Sequence, residues 1–125
     1  MVLNQRSGTN TDSLLNEAIS AYDQSDFTTA IQQFQIVQRL DKTQSVYTFY
    51  EGISLLGLQN AKAAIPILEK IKDDKDPKWR EQSQWYLALA YLQNNEIDKA
   101  KDLLQDIQNG QFQYAKAQDL LEQLF

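Results

Sequence analysis

A period close to 34 residues constrains this chain more than any single motif. Three segments align without gaps: EAISAYDQSDFTTAIQQF (17–34), EGISLLGLQNAKAAIPIL (51–68) and LALAYLQNNEIDKAKDLL (87–104). A small residue fills the second column in each, at Ala18, Gly52 and Ala88, 34 and then 36 positions apart. Another small residue follows 12 positions later, at Ala30, Ala64 and Ala100, and a large apolar one stands four beyond it, at Phe34, Leu68 and Leu104. Two antiparallel helices approach closely only where both offer a small side chain at the crossing, and a larger residue one turn on fills the gap behind that contact. One such pair cannot bury its own apolar face, so successive pairs must stack.

Within each period the pattern is helical. Only Pro66 and Pro77 interrupt the chain, and Leu, Ala, Gln, Glu and Lys dominate from residue 11 onward. Apolar residues recur at three- and four-residue intervals, and no stretch alternates with period two. The class is all-α, with about seven helices predicted over 11–24, 27–39, 45–57 (starting at Thr43 or Ser45), 61–72, 77–93, 96–108 and 112–124. Asp26, Asn60 and Asn95 are the expected N-caps, and Asp76 followed by Pro77 is a helix start of the kind that loses no backbone bond. Asn109–Gly110 is a stop signal. Pro66 falls inside a helix, where it is best tolerated on an outer face. Residues 1–10 read as a flexible lead-in to one helical domain over 11–125.

The missing residue types exclude most chemistry. With no cysteine there is no disulfide, thiolate nucleophile or cysteine zinc site. With no histidine there is no imidazole base or histidine metal ligand. No close acidic pair sits in apolar surroundings, and no glycine-rich phosphate loop occurs. The chain therefore reads as no enzyme, with no cofactor and no metal site. Its 12 basic residues are interspersed among 17 acidic ones, so neither nucleic acid nor an anionic membrane surface is an expected partner. No window approaches the apolar length of a membrane span. The N-terminal MVLNQRSGTNT lacks the layout of a secretory signal.

The three aligned segments resemble the tetratricopeptide repeat family, which has a 34-residue period, a small residue in the first helix of each pair, and a small and then a bulky apolar residue in the second. Ala88, Tyr91, Ile97, Ala100 and Leu104 carry the best match. Ala18, Phe27, Ala30 and Phe34 carry a good one, and Gly52 and Ala64 a weaker one, with Ala61 where an aromatic is usual. The resemblance implies a right-handed α-solenoid of antiparallel helix pairs over about 11–42, 43–76 and 77–109, closed by a capping helix at 112–124. It also implies a scaffold that binds a protein or peptide partner on the concave surface lined by the first helix of each pair.

Carried through the register, that surface would comprise Leu15, Ile19 and Tyr22 from the first unit, Phe49, Tyr50 and Ile53 from the second, and Gln82, Trp85, Tyr86 and Leu89 from the third. Members that hold a terminal carboxylate use Lys, Arg and Asn in this stripe. Leu15, Ile19, Phe49, Ile53, Trp85 and Leu89 stand there instead, which favours an apolar, aromatic groove for a helix or extended segment. Glu17 and Glu51 fall where the family buries an apolar side chain. Either those helices are rotated, which puts part of the stripe inside, or the glutamates reach solvent at an edge. A second reading stays open: a self-associating homo-oligomer or spacer domain of a larger, envelope-type protein. The compartment would be cytoplasmic for a full-length chain and periplasmic for an excised fragment.

Overall fold

The computed structural model describes the backbone of residues 2–41 and 44–125, with side chains from residue 12 onward. Seven α-helices and no strand occur among the described residues: α1 (Val2–Asp23), α2 (Phe27–Leu40), α3 (Ser45–Gly57), α4 (Ala61–Glu69), α5 (Pro77–Gln93), α6 (Ile97–Asp106) and α7 (Tyr114–Leu124). The alternative start at Thr43 lies outside the described residues. Helix α1 begins at Val2, within the stretch read as a flexible lead-in. No proline stands between residues 2 and 23, so nothing in the covalent chain stops the helix from extending that far.

The repeat is visible first in the backbone. Ser25, Gln59 and Asn95 each turn left-handed, with φ of 63°, 62° and 65°. The next amide in each case, at Asp26, Asn60 and Glu96, reaches back to the carbonyls of Ala21, Leu55 and Tyr91 at 2.8, 2.9 and 2.8 Å. This backward bond closes the first helix of each pair and satisfies a carbonyl that the helix end leaves open. Asp26 and Asn60 then cap the second helix by accepting from the amides of Thr29 and Ala63, both at 3.3 Å.

The third turn departs from expectation. Asn95 is the left-handed residue, and Glu96 stands at the N-cap without capping through its side chain. A glutamate is one methylene too long to fold onto its own helix start. Its carboxylate is taken instead by Asn94 Nδ2 at 2.8 Å and Lys99 Nζ at 3.1 Å. Asp76 does cap α5, accepting from the Lys78 amide at 3.0 Å, with Pro77 at the first helical position. Pro66 is exposed on α4, which ends three residues later. Gly110 turns with φ 93° in the loop between α6 and α7, so both helices are shorter at that loop than the spacing predicts.

The small and large columns meet inside. Ala18, Ala30, Ala64, Ala88 and Ala100 are fully buried, Gly52 is buried, and Phe34, Leu68 and Leu104 are fully buried behind them. Each core cluster reaches beyond its own pair. Tyr50 of α3 packs on the Ala18–Phe34 cluster, Leu87 and Tyr91 of α5 on the Phe49–Leu68 cluster, and Ala117 of α7 on the Trp85–Leu104 cluster. Stacking thus supplies burial that one pair lacks. Helices α3 and α5 pack directly on one another, and no comparable contact joins α4 and α6. Between the second and third pairs the first helices therefore lie on the tighter, inner side, and the Tyr22–Tyr50 ring contact ties α1 to the same side.

Candidate functional site

The inner face is built around tyrosines from three successive first helices. Tyr22 near the end of α1 meets Tyr50 of α3 edge to face, with ring centres 5.5 Å apart. Phe49 links Tyr50 at 5.5 Å to Tyr86 of α5 at 5.6 Å. Phe27 continues the row at one end, 5.6 Å from Tyr22, and Phe112 at the other, 6.4 Å from Tyr86. Below the row, Phe34 stacks nearly parallel on Tyr50 at 5.3 Å. Edge-to-face pairs suit the ring quadrupole, so this is a favourable packing as well as a surface.

Burial pushes the Tyr22 phenol up, and neighbouring Tyr86, Tyr50 and Asp23 push it further. Tyr50 is raised in the same way, by burial first and then by Asp23 and Tyr86. No lysine or arginine among the described residues offsets these effects at either ring. The phenols therefore stay neutral in an environment that disfavours added negative charge.

Of the residues the register places on this face, Leu15, Ile19, Tyr22, Tyr50, Gln82, Tyr86 and Leu89 are half-buried. Phe49, Ile53 and Trp85 are buried instead, with 2%, 6% and 6% of their surface exposed. The expectation that these three form an open stripe is corrected on that point. Phe49 is enclosed by Tyr50, Tyr86 and Trp79, the last at 5.5 Å. Ile53 lies in the cluster shared by the second and third pairs. Trp85 is covered from α7 by Ala117 and Leu120.

Helix α7 is more than a solvating cap. With α5 it frames an open recess of about 290 Å³ lined by Trp85, Leu89, Lys116, Asp119 and Leu120. Helix α7 lies beyond the last repeat of the sequence register, so the periodicity carries no signal for its contribution to this face.

The two glutamates resolve in different ways. Glu17 is exposed. Glu51 is buried, 8% exposed, and its carboxylate accepts from Gln35 Nε2 at 3.1 Å and Gln38 Nε2 at 2.8 Å. It floors a polar cleft of about 380 Å³ on the α2–α3 side, also lined by Gln35, Gln38, Arg39 and Thr48. Two glutamine amides supply the hydrogen bonds that a buried carboxylate requires. Among the described residues no three carboxylates gather as a metal site would need, and no helix is long and apolar enough to cross a membrane.

Antiparallel helix pairs with this period and repeated turns define an all-α helical-repeat solenoid. In sequence, residues 82–109 match the tetratricopeptide repeat. Eight solved chains match in structure. One, from a structure titled "CopN-Scc3 complex", has a TM-score of 0.66 and 21% sequence identity, covering 92% of this chain. The chain spans 66% of the length of that neighbour. No curated protein matches in sequence. The structural match shows a shared helical-repeat fold, and the sequence match shows a tetratricopeptide repeat over residues 82–109.

Proposed function

We propose that this chain is a non-enzymatic interaction module that seats a helical or extended segment of a partner protein on its inner face. The observation that carries this reading is the half-buried row Leu15, Ile19, Tyr22, Tyr50, Tyr86 and Leu89, contributed by three successive first helices. Half-buried apolar side chains on rigid, stacked elements give a partner area to cover at little ordering cost. The stripe from α1, α3 and α5 holds no basic side chain, and Lys116 of α7, which lines the recess beside Leu89, stands with Asp119, so capture of a terminal carboxylate is disfavoured. The chain also lacks the basic cluster that nucleic acid would require. The structural neighbour's title names a complex, in keeping with partner binding.

The test compares proteins captured from the native host by the wild type and by an Ile19→Lys, Leu89→Lys variant that melts at an unchanged temperature. The partner is expected to be lost from the variant; equal recovery overturns the reading.

A second reading, self-association, draws support from Leu124 and Phe125 at the end of α7, which are 44% and 48% exposed. Light scattering across a concentration series separates the two, because a strict monomer removes self-association.

A further inference from the structure

We infer that the partner segment presents a basic side chain, lysine or arginine, to the cluster of Tyr22, Tyr50 and Tyr86, with Asp23 as its counter-charge. This rests on the interaction-module reading above and specifies the chemistry of the partner.

The three phenols come from α1, α3 and α5 and are tied together by the edge-to-face contacts Tyr22–Tyr50, Tyr50–Phe49 and Phe49–Tyr86. All three residues remain half-buried, with Phe34 stacked on one face of Tyr50. Aromatic faces attract a cation electrostatically, and most strongly where the site is partly dry. Asp23 is exposed and follows Tyr22 in the chain. It stands close enough to influence both the Tyr22 and Tyr50 phenols, and no cation among the described residues does so.

Among the described residues the charge acting on the Tyr22 and Tyr50 phenols is thus negative, and the nearest cation–ring contact of the row, Lys78 over Trp79 at 4.8 Å, lies one ring further on, beyond Phe49. An acidic segment would be repelled by Asp23 and by the ring faces together. A second copy of this chain is a poor occupant of the same face, because each copy carries a net charge of −5. A segment with a basic residue flanked by apolar ones satisfies both the charge and the half-buried row beside it.

The probe is a random-sequence peptide display library panned on the full chain, with selected peptides then synthesised and titrated. Enriched peptides are expected to carry Lys or Arg flanked by apolar residues. Replacing that basic residue by glutamine weakens binding by about five- to tenfold, and Asp23→Asn in the protein weakens it comparably and flattens the salt dependence. Enriched peptides without a basic residue, or affinities indifferent to Asp23→Asn, overturn this inference and leave the module reading standing. A library that yields no peptide sensitive to Leu89→Lys overturns both.

Discussion

Leu68 fills the space that a side chain at residue 52 would occupy: a β-carbon added to Gly52 would stand 2.6 Å from Leu68 Cδ2 and 2.8 Å from its Cγ. The equivalent column holds alanine at 18 and 88, so the second pair crosses where only glycine fits. Alanine gains up to about 1 kcal/mol of helix propensity over glycine. Leu68 is fully buried, however, and the contact reaches its branching Cγ as well as its tip. Overpacking therefore outweighs propensity, and Gly52→Ala is expected to lose about 1–3 kcal/mol in chemical denaturation. Adding Leu68→Val should recover part of that loss, because the two positions share one space. A Gly52→Ala protein more stable than wild type would refute the close crossing.

Trp85 lies under α7 and acts as core, so Trp85→Ala should cost about 3–5 kcal/mol and lower the melting temperature sharply. Leu89→Ala on the neighbouring turn is half-buried and should cost much less. If calorimetry finds the two variants equally stable, α7 does not cover Trp85 as described. Binding assays that use Trp85 or Phe49 truncations would mistake unfolding for a lost contact, which is why the tests above change Ile19, Leu89 and Asp23.

Glu51 can be replaced by an apolar residue because its partners can rehydrate. Gln35 is exposed and Gln38 half-buried, so both amides can turn to water once the carboxylate is gone. Glu51→Leu is expected to hold stability or raise it by on the order of 1 kcal/mol, because the desolvation of the charge is removed. Glu51→Ala should instead destabilise by leaving a cavity. Urea midpoints for the two variants decide this, and a strongly destabilised leucine variant contradicts it.

Asp74 makes the fold sensitive to acid. The Ser45 hydroxyl and then the Asp76 amide, at 2.9 Å, donate to its carboxylate and hold it below its ordinary value of 3.8. A carboxylate with a lowered folded-state pKa contributes stability that is fully present above the unfolded value and is lost as pH falls through the folded one. Wild type should therefore lose stability below about pH 4, and Asp74→Asn should show a shallower acid limb. Parallel acid limbs in wild type and variant would show that the Ser45–Asp74 tie contributes nothing to linkage.

The alkaline side follows from the tyrosines. Tyr22, Tyr47, Tyr50 and Tyr91 are all raised from 10.0, burial being the first cause in each, and Tyr91 also donates its hydroxyl to Glu69 Oε2 at 2.7 Å. Because the folded state holds these protons more tightly, stability is full below pH 10 and declines above it. Phenolate absorbance from these four rings should appear together with loss of helical circular dichroism. Full ionisation at pH 10 in a folded chain would contradict their burial.

Much of this architecture is legible in residue types alone. The helical class, the columns Ala18–Gly52–Ala88 and Ala30–Ala64–Ala100, and the caps Asp26, Asn60 and Asp76 follow from local chemistry, since crossings need small residues and helix starts need short acceptors. Residue type could not separate Asn95 from Glu96 at the third cap, because asparagine suits both the left-handed turn and the N-cap. The face of each first helix depended on what lies across from it. Glu17, Glu51 and Leu87 share one column and meet three fates. Glu17 is exposed. Glu51 is buried against α2 by two glutamine amides, and Leu87 is fully buried in the cluster with Ala64 and Leu68 of α4. Periodicity specifies which residues share a stripe, whereas contacts from helices distant in sequence decide whether that stripe is core or surface. For the same reason Tyr22, Tyr50 and Tyr86 remain on the inner face while Phe49, Ile53 and Trp85 are enclosed.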